Sequence, residues 1–358
     1  MEISNETEYT VLKHRNCVVI KNLKEYQTNK AVNTPTNRII TSMLSKERFL
    51  FLLRYGYAYV ERKIELEDGT QGTELQKHIM RYQQMFASYA IRHTLDKGVK
   101  SGIIWHTQGS GKTALAYYSV KSLTDYFAKK NVVAKFYFIV DRIDLMEQAT
   151  DEFAARGLIV RNAKSRTELM NDISSRAITH NNEGKLEIVV VNIQKFKEDK
   201  AKVKVDDSYS TQLQRIFFID EAHRGYNPQG SFLANLLEAD TNAVKIALTG
   251  TPLLKEERES WRVFGDYIHT YYYDKSIADG YTCKLMREPV ETIYKEKIEN
   301  ILEQLAGDVE VKKSDIDRNK IIEHDSYLNA LLDYIISDFR QFRREQNDYT
   351  VGGMIVCK

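Results

Sequence analysis

Five short apolar runs organise this chain, and each stops at a polar motif. They are Gly102–His106, Val133–Val140, Glu187–Val191, Arg215–Ile219 and Ala243–Leu248. Runs this short and continuous fit strands covered on both faces. Helical patterns at Ala114–Ala128, Ile143–Arg156, Thr167–Ile178 and Ser231–Leu237 fall between them. Apolar strands joined by helices predict an α/β fold, an open parallel sheet with helices on both faces. Ligands in such sheets bind at the carboxyl ends of the strands. All five polar motifs stand at such an end.

The rest of the chain is read around that sheet. A helix is expected from Gln76 to Leu95, where apolar residues recur at three- and four-residue spacing. Ile268–Tyr273 and Lys284–Ile293 are expected to close the domain. The α/β domain is therefore placed at residues 76–293, a charged connector at 294–325, and the start of a second α/β lobe at 326–358. That last segment holds a long amphipathic helix, Tyr327–Gln346, and a core strand, Gly352–Lys358. A core strand as the last element lacks its neighbours, so the chain reads as a fragment of something longer. Residues 1–75 are less informative and read as an α+β segment. Strands are expected at Thr10–Ile20 and Phe51–Val60, and a helix around Ile39–Leu53. Glu61 and Lys63 have the E-x-K spacing of metal-dependent nucleases. That chemistry needs an Asp one strand earlier, and the preceding segment from Ile39 offers none. The pair reads as a charged strand end.

Composition excludes several classes. The cysteines are Cys17, Cys283 and Cys357, odd in number and far apart, so neither a disulfide framework nor a zinc site is implied. A reducing cytoplasm fits that usage. No apolar run nears the roughly 20 residues of a membrane span, and no membrane partner is expected. The net charge of +2 neither demands nor forbids nucleic acid.

The first motif carries the most chemistry. Trp105-His106-Thr107-Gln108-Gly109-Ser110-Gly111-Lys112-Thr113 links a strand to a helix. Gly109 and Gly111 let the backbone fold back so that its N–H groups point at one spot. Lys112 adds a charge and Thr113 a hydroxyl, a set suited to polyphosphate and magnesium, hence ATP and Mg2+ as cofactors. The usual pattern is G-x-x-x-x-G-K-[ST], and His106 stands where its first glycine belongs. Asp220 and Glu221 supply one carboxylate for the metal and one for the attacking water. Thr249 and Thr251 are read as a relay between nucleotide and DNA, with His223 as their partner. Gln84 is read as the adenine reader, because an amide both donates and accepts; Gln83 competes for that role. Arg142 with Gln148, and Gln194 with Lys195, stand where a phosphodiester backbone could pass. The lysines that follow, Lys197, Lys200, Lys202 and Lys204, suit a solvated loop at least as well.

The motif set resembles the R subunit of type I restriction-modification enzymes (the HsdR family), which is similar to superfamily 2 helicases. The loop Trp105–Thr113 carries the resemblance, His106 included. Asp220-Glu221-Ala222-His223-Arg224 resembles its motif II and Thr249-Gly250-Thr251-Pro252 its motif III. Arg81-Tyr82-Gln83-Gln84-Met85-Phe86-Ala87 resembles its adenine-reading segment. Phe138–Arg142 and Val191–Lys195 resemble its DNA-contacting motifs. The match covers roughly residues 45 to 358. The resemblance implies a RecA-like sheet and an ATP hydrolase serving a site-specific deoxyribonuclease. It implies translocation on double-stranded DNA, with methyltransferase (M) and specificity (S) subunits as partners. It assigns phosphate binding to Thr107 through Lys112, catalysis to Lys112, Asp220 and Glu221, and the metal to Thr113 and Asp220. The family's nuclease domain and its arginine-bearing second lobe are not seen in full. The chain alone is thus expected to hydrolyse ATP poorly, since an arginine finger is worth roughly 10³–10⁵ in rate. The alternatives are another superfamily 2 helicase or type III restriction subunit, and a non-catalytic binding fragment.

Overall fold

The structure is a computed structural model. It describes residues 9–12, 17–20, 46–65, 69–174, 184–193, 212–221, 240–251, 264–283, 296, 300 and 325–354. The chain divides into two units, Met1–Cys283 and Lys284–Lys358.

The first unit holds seven parallel strands: β5 (Ser101–His106), β6 (Val133–Val140), β7 (Ile159–Ala163), β8 (Glu187–Asn192), β9 (Leu213–Asp220), β10 (Val244–Thr249) and β11 (Tyr267–Tyr271). Their order in the sheet is β11-β5-β10-β9-β6-β8-β7, and every pairing is parallel. Along β6, Phe136, Phe138 and Val140 enter one core, while Tyr137 and Ile139 enter the other. The period-2 alternation of a strand feeds two apolar layers at once, which is why these runs show no polar face. Helices α2 (Tyr82–Asp96), α3 (Lys112–Ala128) and α4 (Ile143–Ala154) cover the first layer. Helix α5 (Arg166–Ser174) covers the second through Leu169 and Ile173. The expected sheet with helices on both faces is the RecA-like fold found.

Several local expectations need correction. Phe51–Tyr55 is not strand but the end of helix α1 (Lys46–Tyr55). Its buried residues Phe51, Leu52 and Tyr55 have helical spacing, and the strand β3 (Tyr57–Glu65) starts only after Gly56. Gln76–Ile79 is not helix but the end of β4 (Gln71–Ile79), paired antiparallel to β3 along its whole length. Its side chains alternate in exposure, and Tyr82 opens the helix. Strand β7 was not expected; it is a short, half-buried edge strand carrying Arg161 and Asn162. The expected strand over Thr10–Ile20 is two short paired strands, β1 (Tyr9–Leu12) and β2 (Cys17–Ile20). The helix expected at Ser231–Leu237 and the segment Lys284–Ile293 lie outside the described residues.

A short helix, α6 (Tyr273–Ala278), follows β11. In the second unit, α7 (Asp325–Gln346) is the long helix expected there. After it the Arg343 guanidinium donates to the Val351 carbonyl at 2.8 Å. Residues 351–354 are not strand, and 355–358 lie outside the described residues. Among the described residues no helix is long and apolar enough to cross a membrane.

Candidate nucleotide site

Strand order collects the motifs. β5, β10, β9 and β6 are successive neighbours, so the loop after β5, Thr249–Thr251, Asp220–Glu221 and Asp141–Arg142 form one row at the carboxyl edge. Strands pair about 4.8 Å apart, so Asp220 stands two strands, about 10 Å, from the loop strand.

Loop geometry follows from its glycines. Gly109 and Gly111 have φ of 78° and 83°, a region that side chains rarely enter. Gly111 is the N-cap of α3 and gives it no side-chain cap, so the first N–H groups of the helix are left for an anion. Ser110 Oγ is buried with no partner. These donors, with the half-buried Lys112 and Thr113, fit a polyphosphate. Lys112 Nζ lies 3.5 Å from the His106 carbonyl. A Cβ added to Gly250 would stand 3.3 Å from that ammonium and 3.6 Å from the Gln108 nitrogen. The turn after β10 therefore touches the loop through a glycine the sequence did not single out.

Helix α2 holds the loop from the other side. Gln84 Oε1 accepts from the Arg81 N–H at 2.8 Å, and its Nε2 donates to the Gly111 carbonyl at 2.9 Å. Both ends of the amide that was expected to read adenine are thus committed to protein. Gln83, the competitor, is buried and donates to the Ser110 carbonyl at 3.4 Å. Neither glutamine faces outward here, because each bonds the loop. Arg81 donates to the Gly109 carbonyl at 3.2 Å and lies 4.1 Å over the Tyr281 ring. Its place in the quoted adenine segment was the available signal for it.

The acidic pair ends β9. Burial pushes the Asp220 carboxyl up to about 6, with Glu221 adding to that effect and Lys112 opposing it. Glu221 has φ 47°, a left-handed backbone unusual for glutamate. Its N–H donates to Asp220 Oδ1 at 3.1 Å. On the neighbouring strand end Asp141 is buried, and its Oδ1 has no partner. Among the described residues no three acidic, His or Cys side chains group to hold a metal. Magnesium does not need such a cage, since one or two carboxylates plus phosphates suffice. Two adjacent carboxylates at one strand end, with Asp220 raised by burial, fit that ion.

The expected relay is only partly in view. Thr249 is buried, donates to the Thr251 carbonyl at 2.9 Å and accepts from the Thr251 N–H at 3.3 Å. His223, Gln194 and Lys195 lie outside the described residues. Arg142 and Gln148 are exposed, at the N-cap and within α4.

A module formed by β11, α6 and the residues to Thr282 anchors both arms of the site. The Thr107 N–H donates to the Tyr271 carbonyl at 3.0 Å. Tyr82 and Tyr271 both donate to Asp279, the latter at 2.8 Å. His106 Nε2 lies 2.7 Å from His269 Nδ1. These partners are far from the loop in sequence, and nothing in the chain read alone marked them.

The chain has relatives among known proteins. The family model of the SWI2/SNF2 ATPase matches residues 83–318. Curated relatives are endonuclease subunits of type I restriction enzymes. One, named MjaIXP, from Methanocaldococcus jannaschii, is 28% identical over 86% of this chain and 30% of its own length. Another, SsaAORF53P from Staphylococcus saprophyticus, is 28% identical over 69% of this chain and 27% of its own length. The chain thus spans about a third or less of these relatives. A solved fragment of an HsdR subunit from Vibrio vulnificus is 19% identical, with a TM-score of 0.37 over 74% of this chain and 39% of that one.

Proposed function

We propose, since this chain belongs to the SWI2/SNF2 ATPase family, that its first unit is the nucleotide-binding lobe of an ATP-driven motor from a type I restriction enzyme R subunit. The observation that carries the reading is the row of strand ends β5, β10, β9 and β6. It sets a phosphate loop, a loop-touching turn and an acidic pair side by side.

The loop N–H groups of residues 108–113 bind the phosphates, except that of Ser110, which donates to the Thr107 carbonyl. The Thr107 N–H, expected to join them, is taken by the Tyr271 carbonyl. Lys112 reaches the β and γ positions. Thr113 and Asp220 would hold magnesium, which when bound offsets charge on the phosphates. Glu221 orients the attacking water and accepts its proton. Gln84 fixes the loop, and adenine reading by it requires its two protein bonds to exchange. Gly250 carries the state of the loop to Thr249 and Thr251, with His223 as their partner. Arg142, Gln148, Gln194 and Lys195 contact the phosphodiester backbone of double-stranded DNA. In the full complex, with M and S subunits, ATP turnover drives translocation that leads to cleavage.

The test is titration calorimetry with Mg2+–ATP on the chain and its Lys112→Ala variant. Binding is expected for the chain and loss for the variant. Equal affinity for both would remove the nucleotide reading. Glu221→Gln should bind ATP normally yet lose turnover in a complete R subunit.

A further inference from the structure

His106 stands where the usual phosphate loop has a glycine. Its imidazole is fully buried, and its Nδ1 has no partner. His269 is buried beside it on β11, the two rings joined at 2.7 Å. Burial holds the His106 imidazole well below its ordinary range, with His269 and Lys112 adding to that. Burial, with Lys275, pushes His269 down to about 3. Both rings are therefore neutral at ordinary pH.

Two neutral imidazoles at this separation hold one proton between them. One ring presents an N–H and the other a lone pair, so the bond selects a tautomer for each. If His106 carries the shared proton, its Nδ1 is a bare lone pair. If His269 carries it, the His106 Nδ1 is an N–H with no acceptor. Either way one buried polar atom stays unsatisfied, a cost that two apolar side chains would avoid. Packing alone does not account for such a pair.

Its placement does. The His106 carbonyl is the group against which the Lys112 ammonium lies, at 3.5 Å. The next peptide is fixed by the Thr107 N–H on Tyr271. The side-chain bond to His269 adds a second anchor on the same strand, β11. Two anchors hold the loop entry at one orientation.

We propose that His269 is a positioning residue for the triphosphate: its bond to His106 fixes the loop entry and hence the point from which Lys112 reaches the phosphates. The inference rests on the nucleotide reading above and adds to it a residue from outside the motifs.

The test uses two shape-matched variants, His269→Asn and His269→Leu. Asparagine places a polar atom where Nδ1 stands, whereas leucine has the same outline without it. Both leave the same space, so a packing role would affect them alike. Mg2+–ATP affinity is measured for each, with Lys112→Ala as control. Leucine is expected to weaken binding about tenfold, the worth of one net hydrogen bond, and asparagine to stay within about twofold. Equal affinity in the two variants, both normal or both reduced, overturns the inference. Equal affinity of the chain and Lys112→Ala would instead overturn the nucleotide reading. Should the leucine variant lack a cooperative melt, imidazole 15N shifts of the histidine-labelled chain decide. A fixed neutral tautomer for both rings supports the pair; averaged tautomer signals remove it.

Discussion

The two ends of the sheet bury charge in opposite ways. Near its amino end Lys135 and Asp172 meet at 3.1 Å, with side chains 2% and 4% exposed. Tyr137 and Arg161 also bond Asp172, at 2.9 and 2.6 Å. Arg215 meets Asp240 at 2.9 Å. Burial alone would raise the Asp172 carboxyl, but Lys135, the Tyr137 hydroxyl and Arg161 outweigh it and hold it below its ordinary value. At the carboxyl end Asp220 is pushed up instead, and Asp141, Ser110 and His106 each keep a buried atom without a partner. The same strands carry both ends. One end pairs its charges within the protein, although Asp240 Oδ1 there stays without a partner, and the other leaves more of its polar atoms open.

Substitutions can break this contrast. Asp172→Asn should have the largest effect, because it leaves Lys135 buried without its counter-charge. A loss of about 3–5 kcal/mol is expected by urea unfolding. The Asp172 carboxyl is depressed when folded, so its contribution is present above about pH 4 and fades as pH falls further. Gly111→Ala comes next. Its Cβ would stand 2.5 Å from Gln84 Nε2 at a φ of 83°. It should cost about 1–3 kcal/mol and abolish nucleotide binding, both readable in a thermal shift with and without Mg2+–ATP.

Asp220→Asn should act with the opposite sign. The folded chain holds that proton up to about pH 6, above the ordinary carboxylate range. The favourable contribution is complete below pH 4 and lost as pH rises through 6. The nucleotide-free variant should therefore melt above the parent at pH 7.5, by less at pH 5, and level with it only below about pH 4. A melting point below the parent at pH 7.5 would place Asp220 with the satisfied charges. Gly250→Ala should be mildest. Melting should stay within a degree or two, while Mg2+–ATP affinity falls a few-fold as Lys112 shifts by a few tenths of an ångström. Unchanged affinity would mean that this turn does not feel the loop.

The sheet was legible because its central strands are apolar on both faces and end at polar motifs. The elements read wrongly are those whose pattern is set from outside. β4 is a polar strand that only β3 explains, and β7 is an edge strand of half-buried residues. Phe51–Tyr55 is rich in aromatics, yet its buried positions follow a helix. Within the site, the residues with distinctive local chemistry, such as Lys112 and Asp220, could be named from motif spacing. Their partners could not. His269, Tyr271, Asp279 and Gly250 act through proximity that only the folded sheet creates. Gln84 shows the converse: its amide both donates and accepts, but both bonds are spent on the protein.

Strand β5 lies between β10 and β11, both encoded far downstream. On the ribosome, the segment bearing the phosphate loop therefore emerges long before either neighbour exists. Its pairing waits until Val244–Thr249 and Tyr267–Tyr271 have been made. Such long-range closure is slow, and the unpaired apolar β5 is meanwhile exposed to misassociation. Nucleotide can speed or stabilise folding only in the last stage, once β11 has docked. A nascent chain arrested before Tyr267 should gain no protection from ATP, whereas one released past Cys283 should.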